Sequence, residues 1–140
     1  MQQSDASYER LWAPWRMQYI SSFGTEAGCL FCSAQQEKAD EKRFVVWRGE
    51  LSFVILNIYP YNNGHVMVVP NRHVDDIDLL TDDEQQEMWQ LLMRVKKSLQ
   101  RILRPDGFNI GINLGDVAGA GIKDHVHLHI VPRSEERRVG

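Results

Sequence analysis

No stretch of the 140-residue chain approaches the ~18 consecutive apolar residues that a membrane-spanning helix needs. The N-terminus, MQQSDASYERLWAPWR, lacks the basic-then-apolar pattern of a signal peptide, which argues against secretion. Basic residues are not in excess. Sixteen Lys and Arg against 19 Asp and Glu leave a formal charge of −3, so no positive field exists to drive non-specific binding to nucleic acid or a membrane surface. Cysteine is scarce: two residues in a leaderless chain argue against a disulfide framework and for a reducing, cytoplasmic compartment. Internal repeats and low-complexity tracts are absent. What remains is globular in character, 43% hydrophobic and 25% charged, with the length of one domain.

One domain is expected over residues 1–132, opening with an irregular arm over 1–28 that Trp12 and Trp15 anchor on the body. Gln35 to Arg43 is polar and reads as a solvated turn or short helix. Strands are expected at Phe44–Trp47, Leu51–Leu56, His65–Val69, Phe108–Leu114 and His125–Val131, with turn-forming residues between Tyr59 and Gly64. Thr81-Asp-Asp-Glu84 has the form of a capping box, and apolar residues recur at helical spacing at Met88, Leu91, Leu92, Val95, Leu99, Ile102 and Leu103. Pro105-Asp-Gly107 stops this helix. Trp89 and Met93 lie off the stripe and read as packing residues, and Asp75, Asp76 and Asp78 read as a solvated patch near a helix start. Short links between strands favour antiparallel pairing, so the fold class is α+β: a five-stranded sheet, one long helix and a short helix or turn.

The last eight residues, RSEERRVG, break with the apolar strand before them. One back-translation reads AGA TCG GAA GAG CGT CGT GTA GGG, the string of a common sequencing-library adapter. A non-native tail over 133–140 is therefore expected, with the native C-terminus missing beyond Pro132.

The chemistry concentrates in Asp124-His-Val-His-Leu-His-Ile-Val-Pro132. Alternation along a strand puts His125, His127 and His129 on one face. Two readings compete. Neighbouring imidazoles, about 6.6 Å apart at the backbone, can converge on a metal ion. Alternatively, a neutral imidazole, whose ordinary pKa lies near neutrality, can attack phosphorus. The preceding loop, Asn113-Leu-Gly-Asp-Val-Ala-Gly-Ala-Gly121, offers small residues and backbone N–H groups suited to an anion, which favours a phosphate cradle beside a nucleophile.

His125-Val-His-Leu-His-Ile-Val resembles the signature of the histidine triad (HIT) family, and Gly64-His-Val-Met-Val-Val-Pro70 resembles its third-strand motif. Leu11-Trp-Ala-Pro-Trp-Arg16 is similar to the N-terminal arm of the bacterial branch related to diadenosine polyphosphate phosphorylases. The resemblance runs from about Arg10 to Pro132. It implies an α+β fold, a homodimer with a continuous sheet, and adenine nucleotides or dinucleoside polyphosphates as substrates, with no nucleic acid or membrane partner. It further implies that His127 attacks the α-phosphorus to form a nucleotidyl-histidine and that His129 contacts the phosphate or bridging oxygen. Asn113 and the backbone of Gly119, Ala120 and Gly121 would hold phosphate oxygens, Asn57 the ribose hydroxyls, and Ile55 and Leu56 the base. Ala120-Gly121 departs from the Gln-Ser or Gln-Thr of the small nucleotide-binding members, which bears on the leaving group and favours the phosphorylase-like branch. His65 is expected near the site as a buttress, with a satisfied buried histidine the alternative.

Cys29-Leu-Phe-Cys32 admits a redox pair, two structural thiols or half a zinc site. For zinc, the candidates to complete the set are His73 and His125, an assignment the family resemblance supports, with the zinc structural and no organic cofactor. Against the enzyme stands a non-catalytic nucleotide-binding or scaffolding protein, which would need Asn57 and the glycine loop but not His127.

Overall fold

In the computed structural model, residues 29–57, 65–115 and 125–135 are described. The arm with Trp12 and Trp15, the turn between Tyr59 and Gly64, and Gly119, Ala120, Gly121 and Asp124 lie outside them. In chain order the elements are α1 (Leu30–Glu37), α2 (Asp40–Arg43), β1 (Val45–Arg48), β2 (Ser52–Leu56), β3 (Val66–Pro70), a 3-10 turn (Ile77–Leu79), α3 (Asp82–Leu103), β4 (Gly107–Ile112) and β5 (Leu128–Arg133). The strands form one antiparallel sheet in the order β1-β2-β3-β5-β4.

Alternation in the two central apolar strands serves both faces of this sheet. Phe53, Ile55, Met67 and Val69 pack on one side with Cys29, Phe31, Cys32, Ala34 and Val45, the α1 side. Val54, Val66, Val68 and Ile130 pack on the other with Met88, Leu91 and Leu92 of α3, flanked by Val95, Leu99, Phe108 and Leu128. Ile55 therefore belongs to the core, while Leu56 is exposed.

Helix α3 starts where expected. Thr81 accepts from the Glu84 N–H at 3.1 Å and donates its own N–H to Glu84 Oε1 at 2.8 Å, completing the capping box. Glu84 is buried there because Arg72 donates Nε and Nη2 to its carboxylate, each at 2.8 Å, and these bonds hold its pKa below the ordinary glutamate range. One turn on, Glu87 Oε2 accepts from the Leu51 N–H at 2.9 Å and from the Ser52 hydroxyl, tying the β1–β2 turn to α3. A Cβ at Gly49 would strike that carboxylate, which explains a glycine in the turn.

Several expectations are corrected. The Cys-x-x-Cys segment, for which no element was expected, opens a helix, with Cys29 as its N-cap and Cys32 inside α1, while the short helix expected over Gln35 to Arg43 appears as the end of α1 and as α2. Trp89 and Met93 are exposed, so neither is a core packing residue, and the stripe's last members, Ile102 and Leu103, are exposed as well. The final strand begins at Leu128, three residues late, because the Val126 N–H is taken by the Val74 carbonyl at 2.7 Å, outside the β3 ladder. It also runs on through Arg133, which pairs with Gly107 and donates Nε to Asn109 Oδ1 at 2.6 Å.

Candidate active site and metal centre

The α1 face of the sheet carries all five histidines in two groups. The first is a sulfur–nitrogen cluster. Cys29 Sγ stands 3.2 Å and Cys32 Sγ 3.6 Å from His125 Nδ1, and Cys32 Sγ lies 3.2 Å from His73 Nδ1. The four donor atoms all fall within 4.8 Å of one another, a set that could hold a metal ion. The start of α1 supplies both sulfurs, the segment after β3 supplies His73, and the approach to β5 supplies His125. His125 is fully buried, and its Nε2–H donates to the Pro70 carbonyl at 2.9 Å, which turns the Nδ1 lone pair toward the sulfurs. Burial lowers the pKa of His125 to about 4.

The second group adjoins the first through Phe31, which lies between the two cysteines. Its ring makes edge contacts with His125 at 5.3 Å and with His127 at 5.0 Å between centroids. His127 Nδ1 lies 3.1 Å from the His125 carbonyl. A carbonyl only accepts, so the proton sits on Nδ1 and the lone pair on Nε2. Burial lowers the ring's pKa to about 4, keeping it neutral near pH 7. The tautomer and the charge state are those of an imidazole nucleophile.

Beyond His127, the His129 and His65 rings meet edge to face at 5.9 Å. Both His129 nitrogens and His65 Nε2 are buried with no hydrogen-bond partner among the described residues. Burial also lowers the His129 pKa, and lowers that of His65 to about 4, assisted by the charges of His129, His127 and Arg133. Three unsatisfied buried nitrogens in one place are costly unless a polar ligand completes them. Asn113 follows β4 and is half-buried, and Gly115 behind it has φ +80, a conformation that suits glycine.

His65 titration has a measurable sign. Its folded pKa lies below the ordinary 6.5, so the unfolded chain takes up the proton first as pH falls. The neutral ring's contribution to stability is expected to be intact above about pH 6.5 and to drain away toward about pH 4. Denaturant unfolding between pH 7 and 4 should show a shallower decline for His65→Gln than for the parent. Identical slopes would mean that His65 is not the source.

Three features of the site are missed by sequence reasoning. Phe31 is hidden inside a motif read for its sulfurs. The Pro70 carbonyl is a backbone group. Gly111 faces His129 across the β4–β5 ladder, and a Cβ there would come within 3.4 Å of His129 Nε2. That is ordinary van der Waals contact, so Gly111→Ala is expected to leave turnover within about threefold and the melting temperature within a few degrees, and a much larger loss of turnover would show that the His129 ring needs that space free.

Comparison with known proteins follows the same lines. A family profile described as the HIT domain matches residues 38–136. An AP-4-A phosphorylase of Mycobacterium tuberculosis is 38% identical over 132 residues, covering 89% of this chain and 68% of its own. Among solved structures, a HIT family protein of Bacillus anthracis superposes with a TM-score of 0.66 at 28% identity, covering 76% of this chain and 73% of that one. A zinc-bound histidine triad family protein of Mycobacterium smegmatis gives 0.66 at 27% identity, covering 83% and 82%. With the fold, the histidine strand and the profile in agreement over most of its length, the chain belongs to the histidine triad family.

Proposed function

We propose that the protein cleaves phosphoanhydride bonds of adenine dinucleoside polyphosphates through a nucleotidyl-histidine intermediate. The observation that carries this reading is the His127 Nδ1–H bond to the His125 carbonyl, which leaves the Nε2 lone pair beside three unsatisfied buried nitrogens. The likeness to a protein named AP-4-A phosphorylase supports the substrate class.

In the first step, the His127 Nε2 lone pair attacks the α-phosphorus. A P–N bond forms, the bond to the bridging oxygen breaks, and its electron pair leaves with the departing nucleotide, which His129 contacts. In the second step, water or inorganic phosphate attacks the same phosphorus, the P–N bond breaks, and His127 recovers its lone pair. Asn113 and the backbone of Gly119, Ala120 and Gly121 hold the phosphate oxygens, and Asn57 lies at the ribose end. Water as acceptor makes a hydrolase and phosphate makes a phosphorylase.

Cys29, Cys32, His73 and His125 would hold zinc. Two sulfurs and two imidazole nitrogens suit tetrahedral zinc, whose bonds of about 2.0–2.3 Å imply donor–donor separations of roughly 3.3–3.8 Å. The observed 3.2, 3.2 and 3.6 Å lie near that range, and the whole set, within 4.8 Å, would tighten slightly around an ion. With four protein donors the ion is structural and supplies no reacting group. Cysteines kept as thiols in this role fit a reducing cytoplasm. A homodimer through the β4 edge fits the exposed Ile102, Leu103 and Ile110 near that edge.

The test is incubation with diadenosine tetraphosphate, with and without inorganic phosphate. AMP and ATP in plain buffer identify a hydrolase; ADP and ATP only with phosphate identify a phosphorylase. Denaturing in alkali during turnover should trap an acid-labile adenylylated protein. Nucleotide binding with no product in either tube would favour the non-catalytic reading.

A further inference from the structure

Phe31 is the second residue of α1, inside a first turn that has Cys29 as N-cap and Cys32 next after Phe31. The turn closes with the Ser33 N–H on the Cys29 carbonyl at 3.0 Å. Spacing of three residues brings both sulfurs to one side of it, within 4.8 Å of each other. The Phe31 ring is fully buried, packed with Val45, Phe53, Ile55, Met67 and Val69. It also meets two histidine rings edge to face, His125 at 5.3 Å and 78° and His127 at 5.0 Å and 63°. One side chain thus touches both a member of the sulfur–nitrogen cluster and the ring of the proposed nucleophile.

The backbone does little to hold that nucleophile. His127 stands just before the ladder, which begins at Leu128. Among the described residues its ring makes one hydrogen bond, from Nδ1–H to the His125 carbonyl at 3.1 Å. A single neutral hydrogen bond is too weak to keep a ring from swinging, and swinging carries Nε2 away from phosphorus. A displacement of about 1 Å at a reacting atom can cost about 100-fold in rate. We propose that Phe31 is a positioning residue for the nucleophile: its ring fills the space into which the His127 imidazole would otherwise swing, so that Nδ1 stays on the His125 carbonyl and Nε2 stays aimed at the substrate. The inference rests on the proposed function and deepens its first step. Because both sulfurs belong to the turn that carries Phe31, the ion proposed above would pin that turn to His73 and His125. Metal centre and nucleophile then share one mechanical support.

Phe31→Leu tests this, with Phe53→Leu as its control, since Phe53 lies in the same buried cluster with no histidine contact among the described residues. Both variants should lower the melting temperature by several degrees. Only Phe31→Leu should lower kcat, by about tenfold or more, with KM and AMP affinity within about threefold and zinc still near one per chain. Phe53→Leu should keep kcat within about threefold. Equal losses of kcat in the two, or none in Phe31→Leu, would overturn the proposal. Nitrogen-15 shifts of the His127 ring, read without ligand at one fixed neutral pH, should report a single Nδ1–H tautomer in the parent and in Phe53→Leu and an averaged one in Phe31→Leu. A fixed tautomer in Phe31→Leu, or an averaged one in the parent, also overturns it. Should Phe31→Leu fail to fold or lose its zinc, Phe31→Met, which fills the space with a flexible chain, is read by the same criteria. If the parent turns over no substrate and forms no adenylylated protein, the proposed function falls, and the nitrogen-15 measurement still decides whether Phe31 holds the ring.

Discussion

Replacing His127 with alanine is expected to abolish turnover, to below about one-thousandth of the parent rate, while mononucleotide affinity stays within about tenfold, or ~1.4 kcal/mol. The asymmetry follows from where the ring sits. Its Nδ1–H is spent on the His125 carbonyl, and in the proposed reaction its remaining nitrogen is the one that bonds covalently with phosphorus. Deleting it removes the chemical step, whereas ground-state contacts to phosphate and ribose come from other groups. Turnover in single-cycle mixing experiments, paired with equilibrium binding of AMP, separates the two. A variant that keeps more than a few per cent of the parent rate would mean that the intermediate forms elsewhere or not at all. A variant that has also lost binding would mean that the cavity has collapsed, and His127→Gln, nearer in volume, would then decide.

Loss of the metal is expected to have the second largest effect, and on stability rather than on chemistry directly. Purified, metal-replete protein should carry about one zinc per chain, and Cys32→Ser should lose both the zinc and the cooperative thermal transition at its parent position, with a fall of more than about 10 °C. Cys32 ties α1 to His73 and, with Cys29, to His125, so three separate segments would depend on the proposed ion. Activity should fall in the same variant, because Phe31 lies between the two cysteines in sequence and its ring contacts that of His127. Strong chelators should reproduce the effect on the parent and added zinc should reverse it. Elemental analysis finding no zinc in fresh protein, with both thiols titratable, would defeat the assignment.

Local signals in the chain carry much of this architecture. The start of α3 is legible because its capping box closes within four residues, Thr81 to Glu84. The two-faced character of β2 and β3 is legible as unbroken apolar runs bounded by turn residues. Cys29 and Cys32 advertise themselves by spacing, and the three histidines by alternation. What escapes is decided across distance. Val74 captures the Val126 N–H and so delays β5, a competition between segments that strand propensity does not register. Ile102 and Leu103 keep the helical period yet face solvent, because periodicity reports a face and not what covers it. Asn57 could be given a ribose-binding role by resemblance, but its side-chain bond to His65 appears only once the β2–β3 register is known. Gly111 is an unremarkable strand glycine until β5 brings His129 against it.

Strand order also dictates the order in which the protein can be finished. β4 precedes β5 in the chain, yet β5 lies between β3 and β4. During synthesis, β3 and β4 therefore wait with facing edges unpaired until the last segment slides between them. The same segment brings His125 to Cys29, Cys32 and His73, so sheet closure and completion of the sulfur–nitrogen cluster are one event. A nascent or truncated chain that stops short of His125 exposes two thiols, two open strand edges and the apolar faces meant for Leu128 and Ile130. The histidine-bearing strand thus acts as the keystone of its own scaffold: the chain cannot assemble its candidate site until it has closed its sheet.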